Sequence, residues 1–308
     1  MLINSPTLQS QSLKGDGYIF SSFNLLSRND KLISLPKPCI MGIINVSPNS
    51  FFRPYPKLSD AIDAAASMVE EGASILDIGG EATNPKVNIE KDSPNGDQEI
   101  ERVLPLIEAL NKRFSVLLSV DTSKPDVIRA AVQAGADMVN DQRALINPES
   151  LQAVAELKIP VCLMHFFNSP RQPNQNSKFD LLTQIKTELS HSVNRCLSAG
   201  INPQRIIIDP GFGQGNYGKN CTENFYLLAH LTKLTELGYP VLVGWSRKSM
   251  IGEVLGGVPA DQRLNGSIIT AAFAALKGAA IIRVHDVAET KEAVQIAKAL
   301  LEQETDHQ

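Results

Sequence analysis

The sequence predicts an α/β fold, a (β/α)8 TIM barrel with a short N-terminal extension. Three features support this prediction. Short apolar runs rich in isoleucine, valine and leucine alternate with helix-like stretches along most of the chain. Several of these stretches end in glycine and alanine before the next apolar run, as in a helix-to-strand connection. Each apolar run in turn ends in a polar or ionisable residue.

The apolar runs predict strands that are buried on both faces, because such strands are apolar throughout rather than alternating. There are eight of them: Cys39–Ile44, Ser74–Ile78, Val116–Val120, Asp137–Val139, Val161–Met164, Ile206–Ile208, Val241–Val243 and Ala280–Val284. The stretches between and after them have an apolar periodicity typical of amphipathic helices. They predict helices at Leu58–Glu71, Gln98–Arg113, Lys124–Ala134, Pro148–Leu157, Lys178–Ser198, Thr222–Glu236, Asp261–Lys277 and Glu289–Glu302.

Two architectures accommodate eight β/α units over about 270 residues, a closed barrel and an open doubly wound sheet. The count of eight and the lack of a domain break favour the barrel. We predict an extension over residues 1–38 that forms a strand or a hairpin plug. The barrel would span residues 39–303, and residues 304–308 would be a tail.

Composition restricts the possible partners and the compartment. The net charge of −4 argues against a nucleic-acid or anionic-membrane partner. The four cysteines form no C-x-x-C pair, so we expect buried free thiols and a reducing cytoplasm. We find no pattern of a signal peptide and no apolar run long enough to span a bilayer.

Polar side chains stand at the carboxyl end of every predicted strand. They are Asn45; Asp77, Glu81 and Thr83; Ser119, Asp121 and Thr122; Asn140 and Asp141; His165; Asp209; Ser246, Lys248 and Ser249; and Arg283, His285 and Asp286. Right-handed crossovers bring all of these strand ends to one face of the barrel. Barrel enzymes have their active sites at that face, so we predict an active site there.

The strand-end residues divide by charge. Carboxylates and amides form one group: Asp121, Asn140, Asp141 and Asp209. These acceptors suit a ligand rich in N–H donors, such as the edge of a guanidine-like heterocycle. Lys248, Arg283 and His285 form the other group, beside Asn45 of the adjoining first strand. Cations after the last two strands of a barrel commonly bind phosphate, so we predict a site with a heterocycle side and a phosphate side.

Some of these residues also have structural interpretations. Asp121 and Asp209 are suitable N-caps for the helices that follow them, and a histidine at a strand end, such as His165, is more often structural than catalytic. The stretch Gly213–Lys219 has the spacing of a phosphate-binding loop. Asn220, however, stands where such a loop requires serine or threonine, so we favour a flexible loop over the barrel mouth.

From Ile40 to about Ala297 the chain resembles the dihydropteroate synthase family of pterin-binding enzymes. The resemblance depends on several dense motifs in the expected order. They are Met41-Gly-Ile-Ile-Asn-Val-Ser-Pro-Asn-Ser-Phe51, Asp77-Ile-Gly-Gly-Glu81, Ser119-Val-Asp-Thr-Ser-Lys-Pro125, Asn140-Asp141, Val161-Cys-Leu-Met-His165, Asp209-Pro-Gly-Phe-Gly213, Gly244-Trp-Ser-Arg-Lys-Ser-Met-Ile-Gly252 and Arg283-Val-His-Asp286. Such a series of matches at successive strand ends is highly specific.

The resemblance implies a transferase that condenses (7,8-dihydropterin-6-yl)methyl diphosphate with 4-aminobenzoate in folate biosynthesis. It also implies a homodimer, Mg²⁺ as cofactor, and sulfonamides as competitors of 4-aminobenzoate. The residues that it assigns to the pterin are Asp121, Asn140, Met164, Asp209, Gly244 and Lys248. The diphosphate residues are Asn45, Arg283 and His285, with Asn45 also at the metal, and the 4-aminobenzoate residues are Thr83, Pro85, Lys248 and Ser249. The implied catalytic residues are Asp121, Lys248, Arg283 and His285.

Departures from the family pattern fall in the loops. Asn49 stands where the family has aspartate, Asn84 where it has arginine, and Gln214 where it has phenylalanine. Arg53 is a candidate replacement for the cation absent at Asn84. These changes leave open a non-catalytic pterin-binding paralogue. A methyltetrahydrofolate-binding methyltransferase barrel is a further alternative, although it would not need the phosphate side of the site.

Overall fold

The computed structural model of the chain describes residues 22–50, 52–82, 91, 93–167 and 178–305. These residues contain ten β-strands, numbered β1 to β10 in chain order. They are Phe23–Leu26, Leu32–Leu35, Cys39–Asn45, Ile75–Gly79, Leu117–Asp121, Met138–Asp141, Val161–Met164, Ile206–Asp209, Leu242–Val243 and Ile281–Val284. Residues 1–21 of the predicted extension and residues 306–308 of the predicted tail lie outside the described residues.

The same part of the chain contains ten α-helices, α1 to α10. They are Leu58–Glu71, Gly96–Arg113, Pro125–Ala134, Pro148–Leu157, Lys178–Ser198, Cys221–Ala229, Thr232–Thr235, Ser249–Val254, Leu264–Leu276 and Val287–Thr305. Local sequence accounts for several of their ends. Asn95 and Asn220 begin α2 and α6 with side-chain caps, and Gly72 and Gly135 end α1 and α3 in the left-handed conformation.

Strands β3 to β10 form one parallel sheet that curls into a barrel. The order of the strands is β8-β7-β6-β5-β4-β3-β10-β9. A bridge between Ile208 and Val241 joins the two end strands, and the amide of Ile208 donates to the carbonyl oxygen of Pro240 at 3.0 Å. The predicted α/β barrel is therefore confirmed. All eight carboxyl ends open on the same side, which we call the mouth.

The predicted strands agree with the observed ones to within two residues at each end. The helices differ in two places. The helix predicted at Thr222–Glu236 is divided into α6 and α7, because the amide and the ring Nδ1 of His230 both donate to the carbonyl oxygen of Tyr226 and close the last turn of α6. Helix α8 was not predicted. Its six residues are too few to show an apolar period.

An antiparallel hairpin of β1 and β2 covers the end of the barrel opposite the mouth. Leu25 and Leu35 of the hairpin are buried in one cluster with Cys39, Met41 and Ile75, which stand at or near the starts of barrel strands. The buried guanidinium of Arg205 holds the hairpin turn by donating to the carbonyl oxygen of Ser27 and to the carboxylate of Asp30. The described apolar side chains thus close the barrel interior on this side, whereas the opposite side has an open cavity.

None of the helices in the described residues is long and apolar enough to cross a membrane. All four cysteines are buried and carry free thiols. Burial raises the pKa of the Cys39 and Cys196 thiols to about 12. These thiols therefore stay protonated and act as small apolar side chains.

We predict that Leu25→Ala lowers the free energy of unfolding by about 2–5 kcal/mol, because it leaves a cavity between the hairpin and the barrel. Leu32→Ala is the matched control. Leu32 belongs to the same hairpin and is 58% exposed, so its truncation should change stability by less than about 0.5 kcal/mol. Urea denaturation of both variants measures the difference. Equal effects would contradict the role of the hairpin as a plug.

Candidate active site

A cavity of about 540 Å³ opens at the mouth of the barrel. Its walls include side chains from the ends of β3, β5 and β10 and from the loops after β6, β8 and β9. Because parallel strands all end here, residues far apart in the sequence meet around one space. The charge on these residues decides what the cavity can bind.

Arg283 lies at the centre of this site. It extends from β10, and its Nε donates to Oδ2 of Asp77 at 2.6 Å while its Nη2 donates to Oδ2 of Asp121 at 2.9 Å. Asp77 is completely buried and also accepts from Nδ2 of Asn140 at 3.1 Å. One guanidinium therefore links two carboxylates from β4 and β5, and the three groups together carry a net negative charge when both carboxylates are ionised.

The carboxylate of Asp121 forms one wall of the cavity. Burial raises the pKa of Asp121 to about 7, against the attraction of Arg283, while repulsion from Asp77 adds to the rise. Nε2 of Gln142 donates to both of its oxygens, at 2.7 Å to Oδ1 and 2.8 Å to Oδ2. The negative charge of this carboxylate therefore strongly stabilises any positive charge that approaches it in the cavity.

Lys248 lies on the next part of the wall, with Asp209 buried behind it. Asp209 ends β8, is buried, and accepts from the amide of Gly211 at 2.7 Å. Burial lowers the pKa of Lys248 to about 8, although the charge of Asp209 opposes the shift. The ammonium of Lys248 donates to the carbonyl oxygen of Phe212 and lies 4.6 Å from the ring centroid of Tyr217.

The polar side chains of the turn after β9 point in two different directions. Arg247 has φ of 61°, and its guanidinium points away from the cavity to make two hydrogen bonds of 2.8 Å with the carboxylate of Asp286. Ser246 and Lys248 on either side of it line the cavity. Although it lies between two cavity residues in the sequence, Arg247 is therefore a structural residue.

His285 presents a neutral imidazole to the cavity. Oγ of Ser246 accepts from the backbone amide of His285 at 3.2 Å and lies 2.9 Å from Nδ1 of the ring. When this hydroxyl donates to Nδ1, the single ring proton of the neutral imidazole lies on Nε2. Burial lowers the pKa of His285 well below its usual value, and the cations Arg283 and Arg247 lower it further. His285 can therefore donate a hydrogen bond to an anion without carrying charge.

The loop after β3 brings a further cation to the rim. A bridge between Asn45 and Pro54 holds the loop against the end of β3. Arg53 precedes this bridge, and its Nη1 lies 3.6 Å from Oδ1 of Asp286. The ring of Phe52 stands edge-on to His285, with ring centroids 5.1 Å apart. The side chain of Arg53 is 53% exposed and lines the same cavity as His285.

The Gly-rich stretch after β8 does not act as a phosphate-binding loop in this structure. Asn220 caps α6 with its side chain. The buried Lys219 turns inward, where its Nζ donates to the carbonyl oxygen of Gly211 at 2.8 Å and lies 3.4 Å from Nδ1 of His165. His165 is buried beside Glu188, and burial lowers its pKa to about 4. The buried contacts of these groups attach the loop to the barrel.

The family model described as "Pterin binding enzyme" matches residues 41–285. The dihydropteroate synthase of Escherichia coli K12 is 43% identical over 275 residues, which cover 87% of this chain and 94% of the relative. The chain belongs to the pterin-binding enzyme family, as one of its dihydropteroate synthases. It is thus an enzyme of the transferase class, as the resemblance implied.

Solved structures of dihydropteroate synthases share the fold closely. A Coxiella burnetii enzyme described in complex with pteroic acid superposes with a TM-score of 0.87 at 54% identity, covering 91% of this chain and 99% of that one. A Yersinia pestis enzyme described with a sulfonamide drug has a TM-score of 0.81 at 42% identity, covering 90% and 98% of the two chains. The barrel of this chain is therefore that of the dihydropteroate synthases.

Most of the predicted site residues meet at the mouth. Those that line the cavity are Asn45, Asp121, Gly244, Lys248, Ser249, Arg283 and His285. Asn140, Met164 and Asp209 are buried at the ends of β6, β7 and β8. Thr83, Asn84 and Pro85 lie outside the described residues. Gln214 lines the cavity and donates from Nε2 to Oε2 of Glu253 at 2.6 Å.

Sequence reasoning missed several further residues of the cavity wall, among them Gln142 and Tyr217. Gln142 could have been found, because it stands two residues after Asn140 and alternate residues of an extended segment share a face. Tyr217 belongs to the Gly-rich stretch, whose conformation cannot be derived from strand periodicity. Asp77 was noted at a strand end, but its pairing with Arg283 across the barrel was not predicted.

We predict that Arg247→Met destabilises the protein by about 3–5 kcal/mol, because it removes the buried guanidinium that makes two hydrogen bonds with the carboxylate of Asp286. The double variant with Asp286→Leu removes both charges and should recover most of the loss. Chemical denaturation of the two variants and the wild type measures this. A stable single variant would show that the ion pair does not support the turn.

Proposed function

We propose that this chain joins (7,8-dihydropterin-6-yl)methyl diphosphate to 4-aminobenzoate, forming 7,8-dihydropteroate and releasing diphosphate. The observation that carries the proposal is the division of the cavity into a carboxylate side at Asp121 and a cationic side at Arg283 and Arg53. Similar enzymes from Xanthomonas albilineans are described in complex with 4-aminobenzoic acid and with 7,8-dihydropteroate. A substrate with a heterocycle at one end and a diphosphate at the other matches this division.

On the carboxylate side, the pterin would bind through its N–H groups to Asp121, Asn140 and Asp209, with Lys248 and Gly244 beside it and Met164 packing near the ring. When the bond from the methylene carbon to the diphosphate oxygen breaks, the electron pair leaves with the diphosphate. The pterinylmethyl group is then left with a positive charge. The carboxylate of Asp121 stabilises that charge, and its burial strengthens the effect.

On the cationic side, Arg283 and His285 would stabilise the charge that grows on the departing diphosphate. Arg283 offers a permanent positive charge, whereas His285 donates from Nε2 while remaining neutral. The amine of 4-aminobenzoate then forms the new C–N bond with its lone pair and loses a proton. It is already a nucleophile, so no serine or cysteine nucleophile is needed. Ser249 and Lys248, with Thr83 and Pro85, would line its binding site.

Magnesium would fit beside Asn45 as an ion shared with the substrate. A Cβ placed on Gly79 would lie 3.3 Å from Oδ1 of Asn45, so the absence of a side chain there leaves space next to an oxygen ligand. Among the described residues, no group of three or more histidine, cysteine, aspartate or glutamate residues could hold a metal alone. Magnesium commonly binds through few protein oxygens together with substrate phosphates. Bound in this way, the ion would neutralise charge on the diphosphate.

The assembly that we propose is a homodimer formed through α9 and α10. These helices pack side by side, and each exposes an apolar pair one turn apart. Ile269 and Phe273 of α9 are 68% and 40% exposed, and Ile296 and Leu300 of α10 are 65% and 60% exposed. Exposed apolar side chains grouped on neighbouring helices commonly mark a protein interface. A second copy could cover it with the same surface about a two-fold axis.

The reaction is tested with purified protein, pterin diphosphate, Mg²⁺ and labelled 4-aminobenzoate. We expect labelled dihydropteroate from the wild type. Asp121→Asn should lower turnover by about a hundredfold or more, because it removes the negative charge that faces the developing cation. Absence of product from the wild type would support a pterin-binding paralogue without catalysis. Normal turnover of Asp121→Asn would contradict the assignment of Asp121.

Arg53→Ala should raise the KM for the pterin diphosphate several-fold and leave the KM for 4-aminobenzoate unchanged, because the lost charge lies at the diphosphate end. The effect should weaken at high ionic strength, since Arg53 is exposed. Arg113→Ala, a change at an exposed arginine of α2, is the matched control. An unchanged KM in Arg53→Ala would exclude Arg53 from diphosphate binding.

Light scattering after size-exclusion chromatography should give the mass of a dimer for the wild type. Ile269→Glu should give a monomer, because it places a charge in the centre of the proposed interface. Leu32→Glu, at an exposed leucine of the hairpin, should remain dimeric. A monomeric wild type, or dissociation by both substitutions, would contradict an interface at α9 and α10.

A further inference from the structure

Gln142 is a second side chain, besides Arg283, that donates to the carboxylate of Asp121. It follows β6, lines the cavity, and donates from Nε2 to both carboxylate oxygens at 2.7 and 2.8 Å. Arg283, which extends from β10, donates only to Oδ2 of this carboxylate, at 2.9 Å. The plane of the carboxylate is therefore defined by two donors that belong to different parts of the barrel.

The contact with Arg283 alone would leave the carboxylate weakly oriented. Arg283 is shared with Asp77, whose Oδ2 lies closer, at 2.6 Å from Nε. Asp77 and Asp121 also repel each other. Without Gln142, the Asp121 carboxylate could turn about its last bond towards the guanidinium, since nothing else in the described contacts holds Oδ1.

The chemistry of an amide suits this task better than that of a second cation. A lysine or arginine in place of Gln142 would orient the carboxylate but cancel its charge. The neutral amide of Gln142 orients it and leaves the charge available to a positive group in the cavity. The position thus matters for a reaction in which positive charge develops on the ligand.

We propose that Gln142 is a positioning residue that holds the Asp121 carboxylate in the orientation required to stabilise the pterin cation. The inference depends on the proposed reaction. Gln142 acts through Asp121, because its amide donates to both oxygens of that carboxylate. Its removal should therefore affect the rate more than the binding of 4-aminobenzoate.

The test is a double-mutant cycle between Gln142→Leu and Asp121→Asn, measured by single-turnover formation of dihydropteroate. In the wild-type background we expect Gln142→Leu to lower the rate at least about tenfold, as for the loss of a hydrogen bond to a charged group, with KM for 4-aminobenzoate unchanged. In the Asp121→Asn background the same substitution should have an effect of less than about twofold. An equal fold-change in both backgrounds, or no change in either, would overturn the proposal.

Two further measurements test the role of Gln142 independently of protein folding and of the proposed reaction. Gln152→Leu, on the exposed face of α4, controls for the loss of a glutamine and should leave the rate unchanged. Crystal structures of the wild type and of Gln142→Leu should show the Asp121 carboxylate held by Gln142 in the first and rotated in the second. This comparison requires no activity, so it tests Gln142 even if no dihydropteroate is formed. An unrotated carboxylate in the variant would overturn the proposal.

Discussion

The rest of the site depends on one guanidinium shared by two buried carboxylates. Arg283 of β10 reaches across the barrel interior to Asp77 of β4 and Asp121 of β5. Its positive charge offsets the repulsion between the two carboxylates, which their burial strengthens. The single positive charge of Arg283 balances one of the two negative charges. The remaining negative charge faces the cavity at Asp121, which creates the environment that a pterin cation requires.

The same logic extends around the mouth. His285, two residues after Arg283, is kept neutral by burial and by the surrounding cations, and Oγ of Ser246 lies 2.9 Å from its Nδ1. Arg247 supports the turn that presents Ser246 and Lys248 by pairing with Asp286 behind the cavity wall. The positive charges of this side are thus held by ion pairs. Arg247 pairs with Asp286 behind the cavity wall, and Arg283 pairs with carboxylates across the barrel. This arrangement leaves room for a diphosphate, which would bring its own negative charge.

Strand periodicity was sufficient to predict the barrel and to place Asp121, Arg283 and His285 at one mouth, because parallel strands bring their carboxyl ends together. It could not predict which cationic residue of the turn faces the ligand. Arg247 turns away through a left-handed backbone conformation, which a non-glycine residue gives no sign of in sequence. Pairings across the barrel, such as those of Arg283 with Asp77 and of Gln142 with Asp121, depend on distances that sequence spacing does not contain. The division of the helix predicted at Thr222–Glu236 likewise results from a local hydrogen bond of His230.

The most direct test of the account is a crystal structure of this chain with 7,8-dihydropteroate bound. We expect the pterin ring to lie against Asp121 and Asp209 and the 4-aminobenzoate part to lie near Ser249. Arg283 should remain paired with Asp77. A pterin ring bound at His285 and Arg53 instead, or product bound outside the barrel mouth, would contradict the division of the site into a carboxylate side and a cationic side.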